Sequence, residues 1–473
     1  MRREPKKRGM RQLRLGFTVD KHQLTLLGFN SKAPPIHHEG DPVILAQMPF
    51  GDFSSEELYL VLNPPFRILE FPEELVNEIV VLACSEYMSQ AKSMFVPRRR
   101  PHPTALSLSL VCKTFHRLVA PVLYSSLNLW VAPNDKTPFR KRHQQLFQML
   151  QKNHSLARCC KELELQLYDS WRPNVNYEPE DFPSIRLCHC SSRHVKECVW
   201  EGIKSTLAPL FRVESLTLTF SQTPLCLQSL CETLTPVRQL KKLKLGESWK
   251  LTEFPKEFEG AAALISIDLE VVYGDFESLA GLLTWPARLE HFALDGNCYF
   301  SRDVDLATIR SALLPHRDSL KSLAMGNYNS ARPINVSDFA NLEALWLSTR
   351  TLTVEWAPEE VCGNVLSAPR LRKLGWFFWP LDDEGYPLST CRDFGPEQAE
   401  WLSRVVRLAH AEETALREVE IIYQPVLINC RREEAQAPLD LLDGVKREME
   451  GLGMSLVFQK YKIPRKIWNA TDV

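Results

Sequence analysis

The sequence predicts an α/β chain in which a short segment of three helices precedes a long series of strands in a curved parallel sheet. Two patterns carry this prediction. Apolar residues between positions 67 and 125 recur at helical spacing, whereas from about residue 213 a short apolar phrase returns at intervals suited to a strand and a return segment. We therefore expect three parts, residues 1–66, 67–125 and 126–473.

The repeated phrase is an apolar residue, two variable residues, an apolar residue, one variable residue and an apolar residue. Its first clear copy is Val213-x-x-Leu216-x-Leu218. Later copies begin at Leu240, Leu264, Leu289, Leu320, Leu342, Leu371 and Leu416. Most intervals fall within the range of about 20 to 29 residues that is typical of leucine-rich repeats. Because each repeat adds one strand and buries its leucines against its neighbours, the array predicts a curved solenoid.

Other segments extend this array in both directions. Cys160-x-x-Leu163-x-Leu165 is an earlier copy, and Ser126 to Val131 is a candidate first strand. Return helices are predicted over Leu225 to Leu234, Phe276 to Leu283, Leu306 to Leu314 and Pro396 to Ala411, with a last helix through Leu439 to Leu452 and a last strand near Leu456. The asparagine that usually follows such a strand occurs only at Asn297, so we expect an irregular arc.

The helical segment has start and stop signals. Proline and two acids in Phe71-Pro72-Glu73-Glu74 suit a helix start. Like charges and prolines predict that residues 88–103 form an exposed inserted loop. Thr104 can cap a second helix that carries Leu106, Leu110 and Val111, and we expect its leucines to pack the helices together. We expect Pro121 to interrupt the third helix.

Composition limits the classes of function. The 473 residues include 57 basic and 58 acidic side chains, a net charge of −1 that gives no overall electrostatic reason to bind nucleic acid. No window of about 18 apolar residues predicts a membrane span. The 13 scattered cysteines indicate a reducing compartment, so we expect cytoplasmic or nuclear localisation, or both. Residues 1–66 read as a basic tail and a proline-rich linker, largely irregular; the tail is either a nuclear-import patch or simply solvated.

The close of the helical segment carries a family resemblance. Val111-Cys112-Lys113-Thr114-Phe115-His116-Arg117-Leu118, together with the Phe71-Pro72 start and the apolar helix after it, resembles an F-box. Two features depart from that family: Phe71 replaces the common leucine, and the loop at 88–103 is longer than usual. The combination resembles fungal-type F-box proteins with C-terminal leucine-rich repeats.

The resemblance implies a non-catalytic role. Such proteins are substrate-recognition subunits of SCF-type cullin-RING ubiquitin ligases: the F-box binds the Skp-type adaptor and the repeats bind the substrate. The adaptor contacts that the resemblance implies are Pro72, Leu75, Ile79, Val111, Cys112, Phe115 and Leu118. The alternatives are that these residues only pack the start of the solenoid, and that the protein is a repeat scaffold without a ligase.

The residues between the leucines of each strand are candidates for substrate binding, because strand alternation turns them onto the opposite face. These candidates are Lys242, Lys244, Asp268, Glu270, His291, Asp295, Trp346, Lys373 and Phe377. Trp346 should neighbour Gly375 on the next strand, which would leave room for a partner group against the indole. Alternatively, Trp346 or Phe377 packs under a loop between repeats.

Chemistry based on a metal or a catalytic site has little support in the sequence. Cys188-His189-Cys190, His194 and Cys198 could supply zinc ligands, but their spacing matches no paired finger, and free thiols are the simpler interpretation. We find no phosphate-binding glycine loop or nucleophile elbow. We therefore expect no cofactor, no metal and no enzymatic activity of the chain itself.

Overall fold

A computed structural model describes most of the predicted elements. It describes residues 14–20, 23–29, 43–46, 58–61, 68, 71–90, 103–131, 138–167, 200, 203–220, 224–294, 299–300, 305–326, 328, 332–378, 393–423 and 432–458. The chain divides into two compact units. The helical unit comprises Met1–Ser126 with Ser155–Cys160, and the sheet unit comprises Leu127–His154 with Lys161–Val473.

The N-terminal part of the helical unit contains strands that the sequence analysis did not anticipate. β1 (Arg14–Asp20) pairs antiparallel with β2 (Gln23–Phe29), and β3 (Val43–Ala46) pairs antiparallel with β4 (Leu58–Val61). In β1 every second residue is apolar, which is the strand pattern. The basic residues and prolines around these short alternations obscured them.

Three helices follow. α1 (Glu73–Gln90) begins after Pro72, whose carbonyl accepts the backbone N–H of Leu75 at 3.0 Å. α2 is Pro103–Ser109 and α3 is Lys113–Leu123. Two predictions need correction here. α1 continues three residues into the loop predicted at 88–103, through Gln90, and residues 91–102 of that loop lie outside the described part of the chain. Pro121 lies in the last turn of α3 rather than ending the helix, which closes two residues later at Leu123.

The three helices enclose a small apolar core. It is built from one stripe of each helix: Val76, Val80 and Cys84 from α1, Ala105 and Leu108 from α2, and Phe115, Leu118 and Val119 from α3. Exposed Arg117 bridges to Glu73 through two 2.7 Å hydrogen bonds, linking α3 to the first turn of α1. This short-range core is what holds the outward surfaces of the helices in place.

The sheet unit is built on one open parallel sheet. Its strands are β5 (Ser126–Val131), β6 (Glu162–Leu167), β7 (Ser215–Phe220), β8 (Pro224–Leu225), β9 (Lys242–Leu251), β10 (Ser266–Gly274), β11 (His291–Leu294), β12 (Tyr299–Phe300), β13 (Ser322–Met325), β14 (Ala344–Ser348), β15 (Lys373–Phe378), β16 (Glu418–Tyr423) and β17 (Ser455–Phe458). The order is β17-β16-β15-β14-β13-β11-β10-β9-β7-β6-β5, with β8 beside β9 and β12 beside β10. Every pair from β6 to β17 along this order is parallel.

Each copy of the repeated phrase forms a strand that starts two residues after its first apolar position. In the copy that forms β14, all three apolar positions, Leu342, Leu345 and Leu347, are fully buried. The residue before each strand also joins its neighbour, as when the N–H of Glu343 donates to the carbonyl of Lys321 at 2.8 Å. The repeat therefore fixes both the burial and the register of the sheet, and the strands predicted from it are confirmed.

Helical segments return the chain between strands. They are α4 (Pro138–Lys152), α5 (His154–Ala157), α6 (203–207), α7 (Leu227–Leu234), α8 (Phe276–Thr284), α9 (Leu306–Leu313), α10 (Pro358–Glu360), α11 (Pro396–Ala411) and α12 (Arg432–Gly451). Asp275 and Asp305 cap α8 and α9 by accepting the backbone N–H groups of Ser278 and Thr308 at 2.7 and 2.8 Å. A π-helical turn, Val361–Val365, directly follows α10.

Candidate functional site

The predicted adaptor contacts of the helical unit separate into two groups by exposure. Pro72, Leu75 and Val111 are exposed, and Ile79 and Cys112 are half-buried. Phe115 and Leu118 are each only 6% exposed and lie in the core of the helical unit. The structure therefore brings the first group to the surface and gives Phe115 and Leu118 a packing role.

Helical periodicity accounts for the burial of Phe115. Phe115, Leu118 and Val119 share one stripe of α3, and that stripe faces the other two helices. Cys112 stands just before α3, where its sulfur accepts the backbone N–H of Phe115 at 3.5 Å. Cys112 therefore caps the N-terminus of α3, and it is only half-buried.

Two leucines that the sequence assigned to packing are instead exposed. Leu110, in the turn after α2, is 86% exposed, and Leu106 on α2 is also exposed. The core side of α2 is instead formed by Ala105 and Leu108. With Leu75 and Val111 these residues form what we call the exposed leucine set. Large exposed apolar side chains grouped in so short a segment are typical of interaction sites.

The sheet unit carries a polar face, which we define by the residues between the buried leucines. Backbone register aligns its central row as Glu164, Thr217, Lys244, Asp268, Ala293, Ala324, Trp346, Gly375, Glu420 and Val457. Lys242, His291 and Lys373 lie in the row beside it, toward the start of the strands. The predicted candidates from Lys242 to Lys373 that the structure describes therefore do share one face.

Lys244 is the centre of the first charged cluster on this face. Its ammonium lies 3.3 Å from the carboxylate of Asp268 and 2.7 Å from that of Glu270. Burial lowers the pKa of Lys244, but the two carboxylates outweigh it and raise the pKa above its ordinary value. The pKa of Asp268 is raised above its ordinary value. Burial and the negative charge of Glu270 raise it, and they outweigh Lys244, which lowers it. One ammonium thus serves two carboxylates.

Lys373 repeats this arrangement farther along the sheet and adds an aromatic ring. Its ammonium lies 2.8 Å from the carboxylate of Glu418 and 2.9 Å from that of Glu420. Glu420 also accepts the indole N–H of Trp346 at 3.1 Å, and the Lys373 ammonium is 5.6 Å from the Trp346 ring centroid, within range of a cation–π contact. Burial lowers the pKa of Lys373, and the two glutamates reverse the shift and raise it.

Gly375 explains the position of the Trp346 ring. A Cβ on Gly375 would lie 2.6 Å from the indole Cγ and closer still to Cδ1, so only glycine allows the ring to lie across that strand. Trp346 and Gly375 are neighbours, as predicted, but the space that we expected beside the indole for a partner group is absent. The indole itself fills the space over Gly375, and its accessible surface is what remains for a partner.

Phe377 lies on the same side of β15 as Gly375 but is buried, which corrects the expectation that it is exposed. It is only 2% exposed, because β15 is buried along its whole length after Lys373. Asp295 and Asn297 lie outside the described residues. His291 is half-buried, and burial lowers its pKa, with opposing contributions from Glu290 and Lys242.

The described residues contain no group of three or more histidines, cysteines or acids that could hold a metal ion. The candidate zinc segment, Cys188 to Cys198, lies outside them. Within the described part of the chain, no helix combines the length and the apolar character that crossing a bilayer requires.

Neither a scan against protein-family models nor a search of the curated proteins gives a match to this chain.

Proposed function

We propose that this protein is the substrate-recognition subunit of an SCF-type cullin-RING ubiquitin ligase. In this proposal the helical unit acts as an F-box that binds a Skp-type adaptor, and the polar face of a leucine-rich-repeat solenoid holds the substrate. The observation that carries the proposal is the exposed leucine set. Its residues lie on α1, on α2 and in the turn after α2, within the segment whose sequence resembles an F-box.

The exposed leucine set supports adaptor binding by its chemistry. Leu75, Leu106, Leu110 and Val111 offer apolar surface that water solvates poorly, and half-buried Ile79 lies one turn from Leu75 on the same side of α1. Full burial of five such side chains would contribute about 7 to 15 kcal/mol before the cost of association. That cost is about 4 to 15 kcal/mol, so binding would need most of the set at once. A single acid in the set should therefore abolish it.

The polar face supports substrate binding in a different way. Trp346 is a rigid aromatic group held by Glu420 and Lys373, and such rings often dominate binding energy at protein interfaces. Lys242, Lys244, Asp268, Glu270 and His291 would add charge selectivity rather than apolar area. The chain would form no covalent intermediate. It would raise the local concentration of the substrate near the conjugating enzyme, in the cytoplasm, the nucleus or both.

Capture of the adaptor tests the first half of the proposal. We expect the purified chain to retain a Skp-type adaptor on co-expression, and Leu110→Asp to abolish retention while the chain stays folded. Val81→Asp is the control, because Val81 is also apolar and is as exposed as Leu75, at 46% against 48%, but lies about 120° around α1 from Leu75. Failure of the wild-type chain to retain an adaptor that a known F-box retains would overturn the ligase assignment.

Substitution of Trp346 tests the second half. Trp346→Ala should abolish substrate capture and leave adaptor retention intact, because the two surfaces belong to different units. Loss of both activities would mean that Trp346 is needed for folding rather than for binding.

The burial of Phe115 and Leu118 favours one alternative, a repeat scaffold without a ligase. In that case the three helices only form a folded start to the chain. The scaffold would bind partners through the polar face and would ignore the adaptor, so the adaptor experiment separates the two functions.

A further inference from the structure

One end of the polar face contains hydrogen-bond acceptors that lack donors. The side-chain oxygens Asn128 Oδ1 and Gln166 Oε1 are both buried and, in the described structure, have no hydrogen-bond partner. Gln166 as a whole is only 8% exposed. Buried polar atoms nearly always have a hydrogen-bond partner. Two amide oxygens without one therefore call for a donor from outside the described residues.

The two oxygens belong to neighbouring strands and to the same face. Asn128 is on β5 and Gln166 is on β6, which are adjacent in the sheet. Each alternates with leucines that are buried on the other side: Leu127 and Leu129 in β5, Leu163 and Leu165 in β6. Both amides therefore lie on the polar face, near the row that begins at Glu164.

Glu164 adds an uncompensated negative charge at the same place. Its Oε1 accepts a hydrogen bond from the Gln166 Nε2, which also fixes which end of the amide is the oxygen, because the reverse orientation would set two oxygens against each other. Among the described residues no cation pairs with Glu164. Lys244 is two strands away in the row and is held on its far side by Asp268 and Glu270.

We propose that this end of the polar face, defined by Asn128, Glu164 and Gln166, receives an arginine side chain from the protein that the sheet binds. The inference rests on the proposed function only for the existence of a protein ligand. A guanidinium has five N–H donors and no acceptor, so it supplies the kind of group that both amide oxygens and the carboxylate need. The terminal torsion of glutamine is broad, so the Gln166 amide can turn toward a donor that arrives at Glu164.

Other ligands fit these acceptors less well. A lysine ammonium has only three donors on a compact point charge and lacks the fork of paired N–H groups that matches a carboxylate. A calcium ion takes six to eight oxygens, and this end of the face offers far fewer. An acidic or apolar group would leave the amide oxygens without donors. The arginine assignment is therefore the one that meets the chemistry of all three residues.

Peptide binding to the intact chain tests the inference. The probe is a labelled peptide of alternating glycine and arginine, and its matched forms replace arginine with lysine or with citrulline, the uncharged isostere. We expect saturable binding of the arginine peptide at least about tenfold tighter than that of either matched form. Glu164→Gln and Gln166→Leu should each weaken it about tenfold. Glu418→Gln, the same charge removal elsewhere on the polar face, should change it less than about twofold.

Gln166→Leu provides a second readout, because it removes an orphaned buried acceptor. We expect this variant to melt at a higher temperature than wild type while it binds the arginine peptide more weakly. A merely structural role would lower both. Absence of binding, equal binding of the lysine peptide, equal loss in Glu418→Gln, or calcium binding that depends on Glu164 would each overturn the inference.

The same preparations are tested for adaptor retention. If the chain retains the adaptor but ignores the arginine peptide, only this inference fails. If it binds the peptide but not the adaptor, the ligase assignment fails and the arginine site stands.

Discussion

The helical unit and the sheet unit place their apolar residues in opposite ways. The helical unit leaves Leu75, Leu106, Leu110 and Val111 in water, whereas the polar face of the sheet shows charged groups between fully buried leucines. One surface would bind a partner by removing apolar area from water, and the other by matching charge and hydrogen bonds. The two interfaces of the proposed function would therefore rest on different interactions, apolar burial for the adaptor and charge and hydrogen bonding for the substrate.

The largest expected effect tests which residues of the helical unit are core. Phe115→Asp buries a charge in the three-helix core, so we expect it to cost more than about 4 kcal/mol and to unfold this unit. Val111→Asp places the same charge on an exposed site and should cost less than about 0.5 kcal/mol. Hydrogen exchange over residues 71–123 measures both. Protection retained in Phe115→Asp would mean that Phe115 is not core.

The next effect concerns the sheet unit. Gly375→Ala forces the Trp346 indole to move and breaks its bond to Glu420, so we expect a loss of about 1 to 3 kcal/mol. Gly363→Ala is the matched control, because no atom lies within 4 Å of the position a Cβ would take there. Denaturant unfolding followed by fluorescence compares the two. Equal stability of both variants would contradict the close approach at Gly375.

Two aspartates of the sheet unit should respond to pH with opposite signs. Burial raises the pKa of Asp268 above 3.8, so its ionisation opposes folding as the pH rises through the raised value. Asp268→Asn should therefore gain stability relative to wild type above pH 3.8 and lose this gain below it.

Asp275 is the counterpart, because the hydrogen bonds from Ser278 lower its pKa. Its contribution is present above pH 3.8 and is lost as the pH falls through the lowered value. Asp275→Asn should thus be less stable than wild type at neutral pH, with a penalty that shrinks in acid. Thermal melts between pH 3 and pH 7 check both variants, and slopes of the same sign would contradict the assignment.

The smallest expected effect sharpens the comparison of surfaces. Leu110→Asp and Val81→Asp should each change the free energy of unfolding by less than about 0.5 kcal/mol, because both side chains are exposed. Equilibrium denaturation measures this. A large loss in Leu110→Asp alone would mean that Leu110 packs in the fold and is not a binding residue.

The strands of the sheet were predictable because successive side chains of a β-strand alternate between its two faces, so the buried leucines decide which face every other residue takes. Once Leu345 and Leu347 face the core, Trp346 must face the other way, and the repeat then places every neighbouring strand. The helix α11 was also predicted at its observed bounds, Pro396–Ala411, because proline starts it and an apolar stripe continues it.

The helical surfaces were harder to predict because a helix offers several leucine stripes. In α2 the sequence favoured Leu106 and Leu110, but the core uses Ala105 and Leu108. Only the packing of three helices together decides between such stripes. The orphaned oxygens of Asn128 and Gln166 were likewise invisible in the sequence, since a missing partner appears only when the surroundings are known.

Calorimetric titration of a purified Skp-type adaptor into the full chain, at several temperatures, tests the central claim most directly. The proposal predicts saturable binding with a negative heat-capacity change, as burial of the exposed leucine set requires. Leu110→Asp should abolish this binding, whereas Val81→Asp and Trp346→Ala should keep it. No binding by the wild-type chain, or equal loss in Val81→Asp, would contradict the assignment of the helical unit as an adaptor-binding F-box.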